Sequence, residues 1–213
     1  MENILFTIIS ALVVIFFSMV LHEIAHGLVA YWLGDDTAKS SGRFSLNPLR
    51  HIDPFLTIIM PMLMVIGNLF GFGLPIFGGA KPVPVNTLRI KGGALGLALV
   101  AIAGPLTNFI LAFLFFVGVV FTSGHAQAFS MLALQINLGF MVFNLIPIPP
   151  LDGSRVLFAL APDSIRKFMI YLEQYGLMLV FVMLIFFGGV FGTAMSTAIN
   201  AIIDLFSKIL MIQ

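Results

Sequence analysis

Residues 4–33, ILFTIISALVVIFFSMVLHEIAHGLVAYWL, form a long apolar run whose acidic and imidazole side chains are His22, Glu23 and His26. About 20 apolar residues are enough for a helix to cross the hydrocarbon core of a bilayer. No Lys or Arg precedes the run and no small-residue cleavage pattern ends it, which distinguishes it from a signal peptide. We therefore expect a retained first transmembrane helix.

The composition argues against a soluble fold. Hydrophobic residues make up 60% of the 213 residues and charged residues 9%, whereas a soluble domain carries roughly a quarter charged residues. The formal net charge of +1 provides no broad basic surface, so no nucleic-acid partner is expected. Because cysteine is absent, any metal must be bound by histidine and carboxylate side chains.

Three further apolar segments are predicted to be membrane spans, at 94–121, 129–146 and 171–191. A last segment, 194–212, either spans or lies in the interface, because Asn200, Asp204 and Lys208 make one of its faces polar. A short amphipathic helix is expected at 154–160, and weak alternation over 42–46 favours a short strand or hairpin.

The predicted fold class is an all-α polytopic membrane protein, a single domain over 1–213. We expect about five to six transmembrane helices plus a re-entrant hairpin and short extended segments near the active site. The hairpin is assigned to 55–77, which is interrupted by Pro61, Pro75 and several glycines. Such non-helical backbone is tolerated at membrane depth when it is buried in protein.

The chemistry of the first span lies in His22-Glu23-Ile24-Ala25-His26. Ionisable residues inside a membrane are costly, and they point to a functional site by default. The two histidines are four residues apart, so they lie on one face of a helix and can reach one metal ion. Glu23 would lie beside that metal and take a proton from water, as in H-E-x-x-H metalloproteases. The pattern predicts one zinc ion per chain.

A catalytic zinc needs a third protein ligand, for which Asp152 is the best candidate. It follows Pro147-Ile148-Pro149-Pro150, which cannot continue a helix in its interior, at the end of a predicted span. A carboxylate after such a break can bend into a cavity inside the protein. The alternative is that Asp152 only caps the helix that follows.

Three motifs, in this order, resemble the site-2 protease family of intramembrane zinc metalloproteases: His22 to Gly27, Ala103-Gly104-Pro105-Leu106-Thr107-Asn108, and 144–153. The resemblance implies zinc bound by His22, His26 and Asp152, with Glu23 as general base. It also implies that Asn144 helps to hold substrate or solvent near the metal. The stretches 34–54 and 80–86 look like the compact prokaryotic branch, and no PDZ-like insertion is visible.

Two further residues are candidates for supporting roles. His51 lies in a polar stretch beside Asp53, and it is either an interfacial histidine or a supporting partner of the site that could stabilise an oxyanion. Asn108 lies on the face of a predicted span, where a hydrogen bond between helices would give it a structural role.

The proposed metal site constrains the topology. The two histidines lie toward the C-terminal end of one span and Asp152 follows the C-terminal end of another, so both ends must lie on the same side. This holds if 55–77 enters and returns, and it fails if that segment crosses. The positive-inside rule independently favours the hairpin, because it gathers on one face Lys39, Arg43, Arg50, Lys81, Arg89, Lys91, Arg155, Arg166 and Lys167.

These features predict an intramembrane zinc metalloendopeptidase of the cell membrane, with its active site toward the cytoplasmic side. The expected partners are the lipid bilayer and a transmembrane or membrane-associated protein substrate, whose unwound strand could pair with the extended segment 81–86. The oligomeric state is left open. The alternative is a membrane metal transporter or metal sensor with the same His and Asp site; transport folds usually show paired halves, and no internal repeat is visible.

Overall fold

Helices account for all the regular secondary structure in residues 2–69 and 79–211, the part of the chain that this computed structural model describes. A 3-10 helix at Pro48–His51 and a π-helix at Pro54–Ile59 precede α3. The α-helices are α1 (Glu2–Trp32), α2 (Thr37–Ser40), α3 (Met60–Leu69), α4 (Gly93–Phe121), α5 (Gly124–Asn144), α6 (Asp152–Leu160), α7 (Asp163–Glu173) and α8 (Gly176–Ile209).

The predicted strand at 42–46 does not form. Gly42 has a left-handed backbone with φ +66°, and the amide of Arg43 donates to the carbonyl of Ala38. These two features close the C-terminal end of α2 with a turn, so the chain is not extended for pairing where the alternation begins.

Four of the described helices, α1, α4, α5 and α8, are long and apolar enough to cross a membrane. Helices suit this environment because all their interior backbone groups are hydrogen-bonded within the segment. The predicted spans at 4–33 and 94–121 agree with α1 and α4, whereas α5 begins earlier than 129, at Gly124. The chain is an all-α polytopic membrane protein, and the predicted total of five to six spans is not confirmed.

One continuous helix, α8, replaces the span predicted at 171–191 and the separate segment at 194–212, which was expected either to span or to lie in the interface. Glycines suggested a break near Gly192, but a glycine inside a helix costs only about 1 kcal/mol relative to alanine. Thr193 donates its hydroxyl to the carbonyl of Gly189, so it is accommodated within the helix. The helix is 34 residues long.

The central helix of the bundle is α4, which packs against α1, α5 and α6. Small residues on α4 let its neighbours approach closely, as is usual between membrane helices: Gly96, Ala101, Ala103, Gly104 and Ala112 are buried. Farther along, Phe206 of α8 is fully buried against Ala112, Phe116, Leu134 and Leu138.

The loop between α1 and α4 leaves and re-enters the bundle at the same end. The amide of Lys91 donates to the carbonyl of Leu33 at 2.9 Å, which joins the end of α1 to the start of α4. The hydroxyl of Thr57 donates to the carbonyl of Gly79 at 2.6 Å, so the two ends of the predicted hairpin meet, as a re-entrant path requires. Residues 70–77 of this predicted hairpin lie outside the described residues.

Candidate metal centre

Two imidazoles and one carboxylate converge beside α4. The buried side chains of His22 and His26 point from α1 so that their Nε2 atoms lie 3.0 Å apart. Oδ2 of Asp152 lies 3.2 Å from Nε2 of His22 and 3.4 Å from Nε2 of His26. Among the described residues, this is the one group of His, Asp and Glu side chains with three ligand atoms close enough to share a metal ion.

Hydrogen bonds on the far side of each ring determine its tautomer. Nδ1 of His26 lies 2.7 Å from the carbonyl oxygen of Val100, which can only accept, so this nitrogen carries the proton. Nδ1 of His22 lies 2.6 Å from Oδ1 of Asn108, which again accepts. Both Nε2 atoms therefore present lone pairs, which is the form of histidine that binds zinc.

The residues fit a zinc ion. Three acceptor atoms face one another with no proton to share, and Oδ2 of Asp152 is buried without a hydrogen-bond donor. In a tetrahedral zinc site with bonds near 2.0–2.1 Å, neighbouring ligand atoms lie about 3.3 Å apart, close to the separations seen here. A bound metal cation would make this cluster of lone pairs favourable.

The position of Asp152 follows from the proline-rich break. Asp152 is the first residue of α6 and lies inside its first turn. A negative carboxylate there also interacts favourably with the positive end of the helix dipole. A Cβ at the next residue, Gly153, would lie 2.1 Å from the carbonyl oxygen of Leu145, so only glycine lets this turn fold back on the end of α5. The Oδ2 atom faces the histidines, and the ligand interpretation therefore suits Asp152 better than the capping one.

Glu23 contacts the segment 79–86, which the sequence predicts to be extended. Its side chain is half-buried, and Oε2 accepts a hydrogen bond of 2.8 Å from the amide of Val83. Residues 79–86 have no regular secondary structure and lie beside Glu23, and their extended form stays a prediction. Glu23 is oriented by a backbone donor that sequence analysis did not identify.

The three supporting candidates differ in their surroundings. Asn108 is fully buried and contacts His22, so the structure adds a contact with the site to the helix-to-helix role predicted for it. Asn144 is half-buried at the end of α5, and its Nδ2 donates to the carbonyl of Phe140.

His51 does not belong to the three-residue group. Its Nε2 lies 2.8 Å from the carbonyl oxygen of Ser45 and therefore carries the proton, while its carbonyl accepts from the amide of Lys81. Its Nδ1 is buried without a hydrogen-bond partner, and the oxyanion role stays a prediction. In this arrangement His51 supports the extended segment.

Two residues beside the histidines have roles that were not recognised from the sequence. A Cβ on Gly104 would lie 2.5 Å from Nε2 of both His22 and His26, so this glycine leaves room for the imidazoles. Asn137, on α5, is fully buried and contacts Asn108. Gly104 lies within a motif already quoted, and the signal for Asn137 was a polar side chain inside an apolar span.

Comparisons with known proteins found one matching family and several similar proteins. Residues 122–188 match the family described as Peptidase family M50, a stretch that includes Asp152 but not the two histidines. Over 180 residues the chain is 42% identical to YwhC of Bacillus subtilis, which is named as a zinc metalloprotease; the match covers 79% of this chain and 76% of that protein.

Two mycobacterial relatives carry the same kind of name. The chain is 32% identical to the zinc metalloprotease Rip2 of Mycolicibacterium smegmatis over 79% of this chain and 63% of that protein. It is also 32% identical to Rip2 of Mycobacterium tuberculosis, over 78% of this chain and 62% of that protein. No solved structure matches the chain significantly.

Proposed function

Because the chain belongs to peptidase family M50 and is a zinc metalloprotease, we propose that it hydrolyses peptide bonds of proteins that lie within or beside the bilayer. One observation carries this proposal. The Nε2 lone pairs of His22 and His26 and the buried Oδ2 of Asp152 face one another, in a helix bundle apolar enough to lie in lipid.

We assign one zinc ion to Nε2 of His22, Nε2 of His26 and Oδ2 of Asp152. This set leaves a coordination position open, as catalytic rather than structural zinc sites do. Asn108 and the carbonyl of Val100 hold the two rings so that their lone pairs stay directed at the site. When bound, zinc supplies Lewis acidity that polarises a peptide carbonyl and acidifies water.

Glu23 is the proposed general base and general acid. It takes a proton from the attacking water and later gives it to the leaving amine. The amide of Val83 holds Oε2, so we assign the proton transfer to Oε1. Because one carboxylate oxygen is already fixed by this hydrogen bond, the side chain loses little conformational freedom when the other oxygen takes up the proton.

The proposed substrate is a transmembrane or membrane-associated protein whose helix has unwound locally, because a helix buries the amides that must be attacked. The segment 81–86 would hold such an unwound strand by backbone hydrogen bonds. The amides of Lys81 and Val83 are already used by His51 and Glu23. Residues 82, 84 and 86 share the opposite edge of an extended segment. Pro82 and Pro84 have no amide hydrogen and the amide of Asn86 is used by Asp35, so this edge offers only carbonyl acceptors and the substrate would supply the donors.

Asn144 is proposed to hold substrate or solvent near the metal. One amide hydrogen of Asn144 is used by Phe140, which fixes the side chain and leaves the second hydrogen for a substrate carbonyl. We further propose that the site lies toward the cytoplasm, since the loops at this end of the bundle carry most of the lysine and arginine residues.

Purified protein and its Glu23→Gln variant test the proposal directly, with zinc content and cleavage of a transmembrane reporter measured on both. The expected result is equal zinc content and no cleavage by Glu23→Gln, because the substitution removes the base and none of the ligands. Normal turnover by that variant would refute the mechanism. Loss of zinc together with activity would mean that Glu23 binds the metal.

A further inference from the structure

A chain of buried amides leads from His22 to α5. Asn108 and Asn137 are both fully buried, on α4 and α5. Nδ2 of Asn108 donates to Oδ1 of Asn137 at 3.0 Å, and Nδ2 of Asn137 donates to the carbonyl of Ala133 at 2.8 Å. The chain therefore ends on a backbone acceptor, two side chains away from the imidazole.

The two proposed histidine ligands are held in different ways. The partner of His26 is the carbonyl of Val100, which can only accept, so its Nδ1 must donate. The partner of His22 is a side-chain amide, which could present either its oxygen or its NH2 group. With the NH2 group turned toward the ring, Nδ1 would have to accept and the proton would move to Nε2, where it would block the metal.

The orientation of Asn108 is settled by Asn137. The carbonyl of Ala133 accepts only, so Asn137 must turn its NH2 group toward it and its oxygen toward Asn108. That oxygen in turn requires the NH2 group of Asn108, which leaves the oxygen of Asn108 for His22. Each amide is fixed by the next, since a buried donor left without a partner costs about 1–3 kcal/mol.

We infer that Asn137 is a positioning residue for metal binding, which acts through Asn108 to keep the proton of His22 on Nδ1 and the lone pair of Nε2 available. The inference rests on the proposed zinc ligation by His22. It assigns to α5 a part in the metal site in addition to carrying Asn144. Asn137 itself touches neither the proposed ligand atoms nor the space between them.

Zinc affinity of the full-length protein, measured by competition with a chelating dye, tests the inference through a double substitution. Asn137→Leu should weaken zinc binding about tenfold, the low end of the effect of changing an outer partner of a metal-bound histidine. Asn108→Asp should make Asn137 dispensable, because both carboxylate oxygens accept and its orientation no longer matters. The affinity of Asn108→Asp/Asn137→Leu should then lie within about twofold of that of Asn108→Asp alone.

A role in helix packing would give the opposite pattern. If Asn137→Leu weakens zinc binding equally with Asn108 or Asp at position 108, Asn137 acts through packing and the inference fails. Leu134→Ala is the matched control, because it opens a cavity at the α4–α5 contact one turn away without touching the amides. It should lower thermal stability and leave zinc affinity unchanged; an equal loss of zinc affinity would also overturn the inference.

Two further measurements distinguish a failure of this inference from a failure of the proposed zinc ligation. In metal-free protein, ¹⁵N NMR of the His22 ring should show the Nδ1–H form in the wild type and added Nε2–H form in Asn137→Leu; unchanged spectra would contradict the inference. If His22→Ala binds zinc as tightly as the wild type, the proposed ligand set fails. If His22→Ala loses zinc and Asn137→Leu does not, only the inference fails. Asn137→Ala replaces Asn137→Leu should the larger side chain prevent folding.

Discussion

The imidazole rings of His22 and His26 lie against α4 and need space on its surface. That space exists because Gly104 has no Cβ; an alanine there would place a methyl group 2.5 Å from both Nε2 atoms. Neither ring can retreat easily, since their Nδ1 atoms are tied to Asn108 and Val100. The glycine is therefore a requirement of the proposed metal site rather than of helix packing alone.

Gly104→Ala should reduce zinc affinity more than tenfold and abolish cleavage, because the methyl group occupies the volume of the ligand atoms. Gly118→Ala is a matched control on the same helix. Its Cβ would press on the hydroxyl of Ser130 at 2.7 Å, away from the histidines. The control should keep zinc affinity, as measured by dye competition; equal losses in the two variants would indicate a general effect on α4.

His22→Ala, His26→Ala and Asp152→Ala should each lower the zinc-to-protein ratio and abolish cleavage. The histidine substitutions should be at least as severe as the aspartate one, because neutral imidazole is the stronger zinc ligand. Elemental analysis of the purified variants measures the ratio. If Asp152→Ala retained both zinc and activity, Asp152 would belong only to the first turn of α6.

The segment between α1 and α4 is held on the end of α1 by backbone donors and acidic side chains. Asp35, fully buried, accepts from the amide of Asn86 at 2.7 Å and from the amide of Thr37 at 3.1 Å. Glu23 accepts from Val83, whose side chain packs beside Gly27. A Cβ on Gly27 would lie 3.2 Å from Val83, so α1 is shaped to receive this segment.

Asp35→Ala should loosen the extended segment while leaving the zinc ligands in place. Removing the buried acceptor leaves the amides of Thr37 and Asn86 without a partner, a cost of about 1–3 kcal/mol. Limited proteolysis and hydrogen exchange over 79–91 should show faster opening. The neighbouring Asp36→Ala removes only an exposed ion pair with Arg89, worth about 0–1 kcal/mol, and serves as the control.

The contribution of Asp35 to the stability of the segment between α1 and α4 should also depend on pH. Burial alone would raise the pKa of Asp35, but hydrogen bonds from Thr37 and Asn86 and the charge of Arg89 hold the pKa below its ordinary value. A carboxylate with a lowered pKa in the folded state stabilises above its unfolded pKa of about 3.9, and this stabilisation is lost as the pH falls through the folded pKa. The difference in exchange between wild type and Asp35→Ala should thus be full at neutral pH and shrink only below about pH 4. A difference that already disappeared at pH 6 would contradict this assignment.

At the scale of the molecule, the helix bundle has two distinct ends. At one end, the carbonyl of Leu33 meets the amide of Lys91 near the start of α4. At the other, Phe6 of α1 contacts His125 at the start of α5, with the two rings tilted and their centroids 4.9 Å apart. The proposed metal site lies in the half of α1 nearer the first end, with His26 roughly 9 Å along the axis from Trp32.

Single cysteine substitutions should show on which side of the membrane each end of the bundle lies. The chain has no native cysteine that would interfere with the labelling. Ser41 and Leu88, both exposed, should react with a membrane-impermeant maleimide from the same face after substitution by cysteine. Ser123→Cys, in the loop between α4 and α5, should react only from the opposite face. Labelling of positions 41 and 88 from opposite faces would mean that the chain between them crosses the membrane, which the shared metal site does not allow.

Local pattern was enough to predict the membrane class, the bounds of α1 and α4, and the candidate ligands. Apolar runs report burial in lipid wherever they occur, and the four-residue spacing of His22 and His26 places them on one helix face without reference to the rest of the chain. The predicted meeting of these histidines with Asp152 rested on the proline-rich break before Asp152 and on the family resemblance, and it required both span ends to lie on one side. The structure brings the three side chains within 3.4 Å, and their binding of zinc remains a proposal.

Tertiary structure alone decided what surrounds those ligands and how the last helix runs. Glycine is common in membrane helices, so nothing local marks Gly104 as the residue facing two imidazoles. Asn137 gains its role only because α5 packs beside α4 and brings it within 3.0 Å of Asn108. The placement of α8 likewise depends on a tertiary contact, because its Phe206 packs on α4 and α5. Hydrophobic pattern determines which segments enter the membrane, whereas the partners of a buried polar group depend on which helices become neighbours.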